Sequence, residues 1–225
     1  MIIAIDGPAG SGKSTVAKEV AKMIGFHYLD TGAMYRSVAW LAIHRGIELD
    51  DQEALGKLAE QEQIEFKHEE GNPLPSGVSI AGNDVTRDIR TPEIDKAVSP
   101  VSAAPAVREA LTQQQRVIGA NDNIVMEGRD IGTVVFPDAQ VKVFLTASPE
   151  ERARRRAAQN VERGVGETDE QVILADLIRR DEADSTRAVA PLKPAEDATL
   201  IDTTCMSFQE VCDAIVKLAR DKQQA

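Results

Sequence analysis

No stretch of this 225-residue chain approaches the ~20 consecutive apolar residues of a membrane-spanning helix. The apolar start at residues 1–5 is cut off by Asp6 and is too short for a secretory leader. No membrane partner is expected. Cysteine is nearly absent: Cys205 and Cys212 stand seven apart, a spacing that fits no metal-binding pattern. Both fall in what reads as the last helix, so two buried thiols in a reducing cytoplasm are expected. The three histidines, His27, His44 and His68, are scattered, which argues against a zinc site. Positive charge is also short. With 26 Lys and Arg against 37 Asp and Glu, the net charge is −11. Such a field repels DNA and RNA, and no nucleic-acid polymer is expected as a partner.

What is present points to an ordinary globular chain. Hydrophobic residues make up 42% and charged residues 28%, which excludes wholesale disorder. The length suits one domain with a small insert. Short continuous apolar runs at 2–5, 26–29, 124–126, 141–145 and 199–201 read as strands buried on both faces. Helices are expected over 14–24, 33–44, 51–60, 105–118, 150–162, 170–184 and 208–220. Strands separated by helices imply a parallel sheet of five strands covered on both faces. Residues 64–86 differ, because alternating apolar residues between Gly-Asn turns there read as a small antiparallel meander.

Gly7-Pro8-Ala9-Gly10-Ser11-Gly12-Lys13-Ser14 matches G-x-x-x-x-G-K-[ST] in full, and Thr15 follows it. Glycines let the backbone wrap a phosphate with its N–H groups. Lys13 can reach the β- and γ-phosphates, and the Ser14 hydroxyl can hold Mg²⁺. The motif follows a buried strand and opens a helix whose positive end adds to the attraction. Nucleoside triphosphate binding is therefore expected. No N-K-x-D element occurs, which argues against a GTP-binding switch. The strand ending Ile124-Val125-Met126-Glu127 is shorter than the acidic strand of motor and transport ATPases. A small-molecule kinase fits better.

The chain carries 16 arginines and 10 lysines; eight of those arginines lie between Arg152 and Arg187, with no lysine among them. Arginine grips phosphate through two parallel hydrogen bonds. This stretch fits a lid over polyphosphate, although the ten acidic residues between Glu150 and Asp184 also suit two solvated helices. Arg36 follows Asp30 by six residues, and Arg129-Asp130 stands just past a strand. In open α/β sheets the ligand crevice lies at the carboxyl ends of the strands. A second anionic substrate, such as a nucleoside monophosphate, is the simplest use of these groups.

Several blocks together resemble the bacterial-type cytidylate (CMP/dCMP) kinases, within the nucleoside monophosphate kinases. They are Ile5-Asp6-Gly7-Pro8, Asp30-Thr31-Gly32-Ala33-Met34-Tyr35-Arg36, Ile89-Arg90-Thr91, Val107-Arg108-Glu109-Ala110-Leu111, Glu127 through Ala139, and Arg187-Ala188-Val189-Ala190-Pro191-Leu192. The Gly-Arg-Asp-Ile-Gly-Thr-Val-Val-Phe-Pro block is the most specific, and coverage is essentially the whole chain. The resemblance implies a P-loop kinase fold with a core over 1–30, 99–150 and 188–225. It also implies a monophosphate-binding lobe over 31–98, carrying the insert 64–86, and a helical lid over 151–187. The implied reaction is phosphoryl transfer from ATP, with Mg²⁺, to CMP or dCMP. Arg36, Arg129, Arg180 and Arg187 are implied to hold the monophosphate. Ser99, Arg108 and Asp130 are implied to read cytosine, and Asp184 to contact the ribose, with Asp30, Thr31 and Tyr35 nearby. Where many monophosphate kinases have Gly-Lys-Gly-Thr, this chain has Gly12-Lys13-Ser14-Thr15. That change makes a direct Mg²⁺ contact by Ser14 more plausible.

A CMP phosphate is largely dianionic at neutral pH and needs no general base. Catalysis then reduces to alignment and charge neutralisation by Lys13 and by Arg155 or Arg156. Two rivals remain at this point. One is a related kinase for AMP, UMP or shikimate; the other is a nucleotide-binding regulatory module without turnover. The chain is expected to act as a monomer in the cytoplasm.

Overall fold

The computed structural model describes residues 1–120 and 122–224. Asn121 and Ala225, which fall inside two of the expected core segments, lie outside the described residues. Five strands form the main sheet: β1 Ile2–Asp6, β2 His27–Asp30, β6 Ile124–Gly128, β7 Val141–Thr146 and β8 Thr199–Asp202, in the order β2-β6-β1-β7-β8. β1 is central and pairs in parallel with β6 (Ile3 opposite Val125) and with β7 (Ile3 opposite Val141). Ile3, Ala4 and Ile5 are fully buried, as a continuous apolar run between two helical layers requires. The chain leaves β1 toward β2 and β6 on one side and reaches β7 and β8 on the other. The carboxyl end of β1 is therefore the topological switch point of the sheet.

The helices are α1 Lys13–Ile24, α2 Thr31–His44, α3 Gln52–Gln61, α4 Pro92–Ala103, α5 Pro105–Gly119, α6 Pro149–Arg163, α7 Glu170–Thr186 and α8 Phe208–Gln223. The chain divides into two units. One takes the residues up to Leu29 and from Asp122 onward; the other takes the stretch between them, starting at Asp30. In the first unit α1 buries Val16, Ala17, Val20 and Ala21, a stripe at helical spacing. α8 buries Val211, Cys212, Ile215, Val216 and Ala219 and is started by a reciprocal Ser207–Glu210 capping box.

The second unit holds α2 to α5 and a small antiparallel sheet of β3 Ile64–His68, β4 Pro75–Ile80 and β5 Asn83–Asp84. α3 and α5 pack closely, and a Cβ on Gly56 would stand 2.5 Å from the Ala106 Cβ. Gln114 of α5 donates to Ala59 O and Glu62 O at the end of α3, and accepts from Ile64 N–H at the start of β3. These contacts place α5 in the second unit, although the core was expected to resume at residue 99.

Two further expectations are corrected. α4 was not among the expected helices. Pro92 stands in its first turn, where the missing N–H costs nothing, and Thr91 caps the helix. Cys205 lies in the turn ahead of α8 and is exposed; Cys212 alone is buried. Among the described residues no helix is long and apolar enough to cross a membrane.

Candidate active site

The phosphate loop joins β1 to α1. Gly7 has φ +148°, and a Cβ there would stand 2.0 Å from Leu145 O on the neighbouring strand, so only glycine lets the loop leave the sheet at this point. Gly12 caps α1 in a left-handed conformation. Lys13 is buried and folds back on its own loop, donating to Pro8 O at 2.7 Å. Burial, and then the nearby Arg129 guanidinium, pull its ammonium down to about 7; Glu127 and Asp6 oppose this, and Arg180 adds to it.

Two acidic groups anchor the floor. The Ser14 hydroxyl donates to Glu127 Oε2 at 2.8 Å, and the buried Tyr28 hydroxyl donates to Glu127 Oε1. Asp6, at the end of β1, accepts the N–H groups of Ile131 and Gly132, each at 2.8 Å. This fixes the tight helical turn Ile131–Val135 and, with it, the preceding Arg129-Asp130. Burial pushes the Asp6 carboxyl up to about 6, against those two N–H groups.

Beside the loop is a cavity of about 510 Å³. Residues Gly10 to Val16 line one side; Glu151, Arg154, Arg155, Arg156 and Gln159 of α6 line another; Thr203, Met206, Phe208 and Val211 close it. Arg155 is anchored there. Its Nε donates to Glu151 Oε1 at 2.8 Å, its Nη1 to Thr203 Oγ1 at 2.9 Å and its Nη2 to Thr203 O at 2.8 Å.

The first unit also gathers Arg129, Asp130, Asp184 and Arg187. Arg129 Nε donates to Asp184 Oδ2 at 3.1 Å and Arg187 Nη1 to Asp184 Oδ1 at 3.3 Å, while Arg187 Nη2 stands 3.9 Å from Asp130 Oδ1. Burial alone would raise the Asp184 carboxyl, but Arg129, Arg180 and Arg187 outweigh it and hold it below the usual carboxylate range. Arg187 Nε donates to the carbonyl of Ala190, whose left-handed backbone (φ +51°) is strained for a residue with a side chain.

The second unit gathers the other expected residues. Asp30 caps α2, accepting from Ala33 N–H at 3.0 Å, and pairs with Arg90 at 2.7 Å. Burial raises its carboxyl, but Arg90 and then Arg36 bring it below the ordinary value. Thr31 and Tyr35 are buried in α2. Arg36 pairs with Asp95 of α4. The Arg108 guanidinium lies over the Tyr35 ring, 5.3 Å from its centroid, and donates to Ser102 O at 3.1 Å. Ser99 is half-buried on α4.

Sequence reasoning did not single out Asp6, Tyr28, Arg90, Asp95 or Thr203 for the site. Arg90 stood in a quoted block, and Asp6 leads the phosphate loop. Asp95 and Thr203 carry no local signal, since their roles come from tertiary contact.

The comparisons bear on this arrangement directly. The cytidylate kinase family model matches residues 3–221. A cytidylate kinase from Geobacillus sp. (strain WCH70) is 49% identical over 220 residues, covering 98% of this chain and 96% of that protein. One from Pelotomaculum thermopropionicum is 51% identical over 215 residues, covering 95% and 93%. Among solved structures, a shikimate kinase from Bacteroides thetaiotaomicron aligns over 100% of this chain and 99% of its own, at 14% identity and a TM-score of 0.48. With a complete phosphate loop, clustered arginines and a family match over nearly its full length, the chain belongs to the cytidylate kinase family.

Proposed function

We infer that the protein is a (d)CMP kinase that transfers the γ-phosphoryl group of ATP to CMP or dCMP, giving ADP and CDP or dCDP. The observation that carries the site assignment is electrostatic. Lys13, Arg129 and Arg180 lie close enough that both arginines depress the lysine. Lys13 is buried and the two arginines are half-buried; such convergent cations repel one another until a polyanion enters, so the cluster is poised for phosphate and neutralises charge as transfer proceeds.

The triphosphate binds the loop 7–15, with its nucleoside end in the cavity lined by α6 and Thr203 to Val211. Arg36, Arg129, Arg180 and Arg187 are each proposed as ligands of the acceptor phosphate. Asp184 holds the ribose, with Asp30, Thr31 and Tyr35 in support. Ser99, Arg108 and Asp130 read the base. A phosphate monoester is already largely dianionic at pH 7 and attacks without a general base. Residues 151–187 act as a lid and the second unit as the monophosphate-binding lobe. Closure excludes water that would otherwise take the phosphoryl group.

The donor set also fits Mg²⁺. The Ser14 hydroxyl and the Glu127 carboxylate meet at 2.8 Å, and among the described residues no group of three His, Cys, Asp or Glu forms a metal cage. Mg²⁺ characteristically binds in this way, through one or two protein oxygens plus substrate phosphates and water. Ser14 would hold it directly and Glu127 through water. When bound, it supplies charge neutralisation on the β- and γ-phosphates. Action as a monomer is part of this proposal, and two free thiols suit a cytoplasmic enzyme.

The test is ADP release from Mg-ATP with CMP, dCMP, UMP, AMP or shikimate as acceptor. Fast turnover confined to CMP and dCMP is expected. Preference for another acceptor would overturn the base-reading roles, and ATP binding without turnover would point to a regulatory module.

A further inference from the structure

The phosphate loop reaches into the packing between α6 and α7. Ala153 and Ala157 of α6 and Ile173 and Leu177 of α7 form one apolar cluster, and Ala9 of the loop packs against it. At Gly10 a Cβ would stand 3.2 Å from the Arg152 Cβ, so no side chain separates the loop from α6 there. Arg152 is only 4% exposed, whereas the Arg154 side chain on the same helix is 64% exposed. Arg152 Nε donates to Ala147 O at 3.1 Å. Its Nη1 donates to Ala9 O at 3.0 Å and stands 2.6 Å from Asp181 Oδ2 on α7. One nitrogen thus carries both the loop carbonyl and the helix carboxylate. Asp181 Oδ1 is buried without a hydrogen-bond partner, so the carboxylate depends on its other oxygen.

A guanidinium is a planar, rigid fork. A shift of the Ala9 carbonyl therefore turns its plane and carries Asp181 with it. Asp181 follows Arg180 directly and precedes Asp184 by three residues, within one helical turn. Movement of α7 at Asp181 is movement of both acceptor groups.

We propose that Arg152 is a positioning residue that ties the shape of the phosphate loop to the placement of α7, so that ATP and CMP each favour binding of the other. The inference rests on the reading above, which puts triphosphate on the loop and the acceptor on Arg180, Asp184 and Arg187. Linkage makes the effect reciprocal. If Arg152 only glued α6 to the loop, its loss would lower Tm and both affinities but leave their mutual dependence unchanged.

The experiment titrates CMP into the full chain by calorimetry, with and without saturating Mg²⁺ and β,γ-methylene ATP, which cannot transfer its phosphoryl group. In the wild type, CMP should bind at least about fivefold tighter with the analogue present. In Asp181→Asn and Arg152→Lys that ratio should fall below about twofold, while CMP affinity without the analogue stays within about threefold of wild type. Should Arg152→Lys fail to fold, Asp181→Asn carries the test, since Asp181 is placed against neither substrate. A wild-type ratio near one, or a ratio unchanged in the variants whatever their Tm, overturns the proposal alone. Absence of CMP binding to the wild type removes the functional reading and this proposal with it.

Discussion

The Asp6 carboxylate accepts the backbone N–H of Gly132 at 2.8 Å, tying the end of the central strand to the turn that presents Arg129 and Asp130. The bond is made by a fully buried acid whose carboxyl burial raises from 3.8 to about 6. The native state therefore binds a proton that the unfolded state has released, and Asp6 costs stability as pH climbs from about 4 to 6. The full cost, on the order of 3 kcal/mol, is present above that window. The depressed acids Asp30 and Asp184 act in the opposite sense: their contribution is present above their ordinary pKa and is lost as pH falls below about 4. The two windows barely overlap. Denaturant unfolding from pH 4 to 6 should show wild-type stability drifting downward relative to Asp6→Asn. A constant difference between the two proteins would sink this account.

Lys13 gives a second pH signature. In the free protein its ammonium is drawn down to about 7 by burial and by Arg129. Polyphosphate beside it favours the charged form, so ATP binding at pH 8 should take up to ~0.9 proton from solution. Calorimetry in buffers of differing ionisation enthalpy measures this. Lys13→Met should abolish the uptake and lower kcat at least ~100-fold. Zero uptake by the wild type would mean that the lysine is already charged before ATP arrives.

What the sequence made legible follows from how locally each feature is determined. β1, the phosphate loop and α1 could be read because an apolar run, a glycine pattern and a helical stripe occupy adjacent residues. α4 was missed: Pro92 suits a helix only in its first turn, a position set by the cap at Thr91. The partner of α5 was hidden because periodicity shows which face is buried but not what covers it. Arg152 could not be separated from Arg154, Arg155 and Arg156. All four sit in one basic run, and tertiary packing alone buries the first. Asp30 was named from a quoted block and Asp184 from the resemblance alone, whereas the pairs they form with Arg90 and Arg129 span 60 and 55 positions.

Asp130 is buried and stands 3.9 Å from Arg187, so it could read cytosine or merely anchor that arginine. The two roles differ in what they discriminate. The cytosine N4 amino group donates where uracil O4 accepts, and a buried acceptor left opposite an oxygen is costly. Asp130→Ala should therefore raise KM for CMP about 10- to 1000-fold, leave ATP within about threefold, and narrow the CMP:UMP preference. An anchor would lose CMP and UMP in equal proportion.

Arg155 and Arg156 both line the cavity beside the phosphate loop, and Arg155 is held to Thr203 by two hydrogen bonds. A guanidinium that joins the γ-phosphoryl only during transfer contributes to kcat and not to ATP affinity. Arg155 is already committed to the wall of the cavity, so Arg155→Ala should weaken ATP binding as well as slow turnover. Arg156→Ala should act mainly on kcat, by at least about tenfold. Steady-state rates at saturating ATP and CMP separate these effects. If neither variant loses a factor of ten in kcat, no arginine of this pair reaches the transferring group, and neutralisation there rests on Lys13, Arg129 and Arg180.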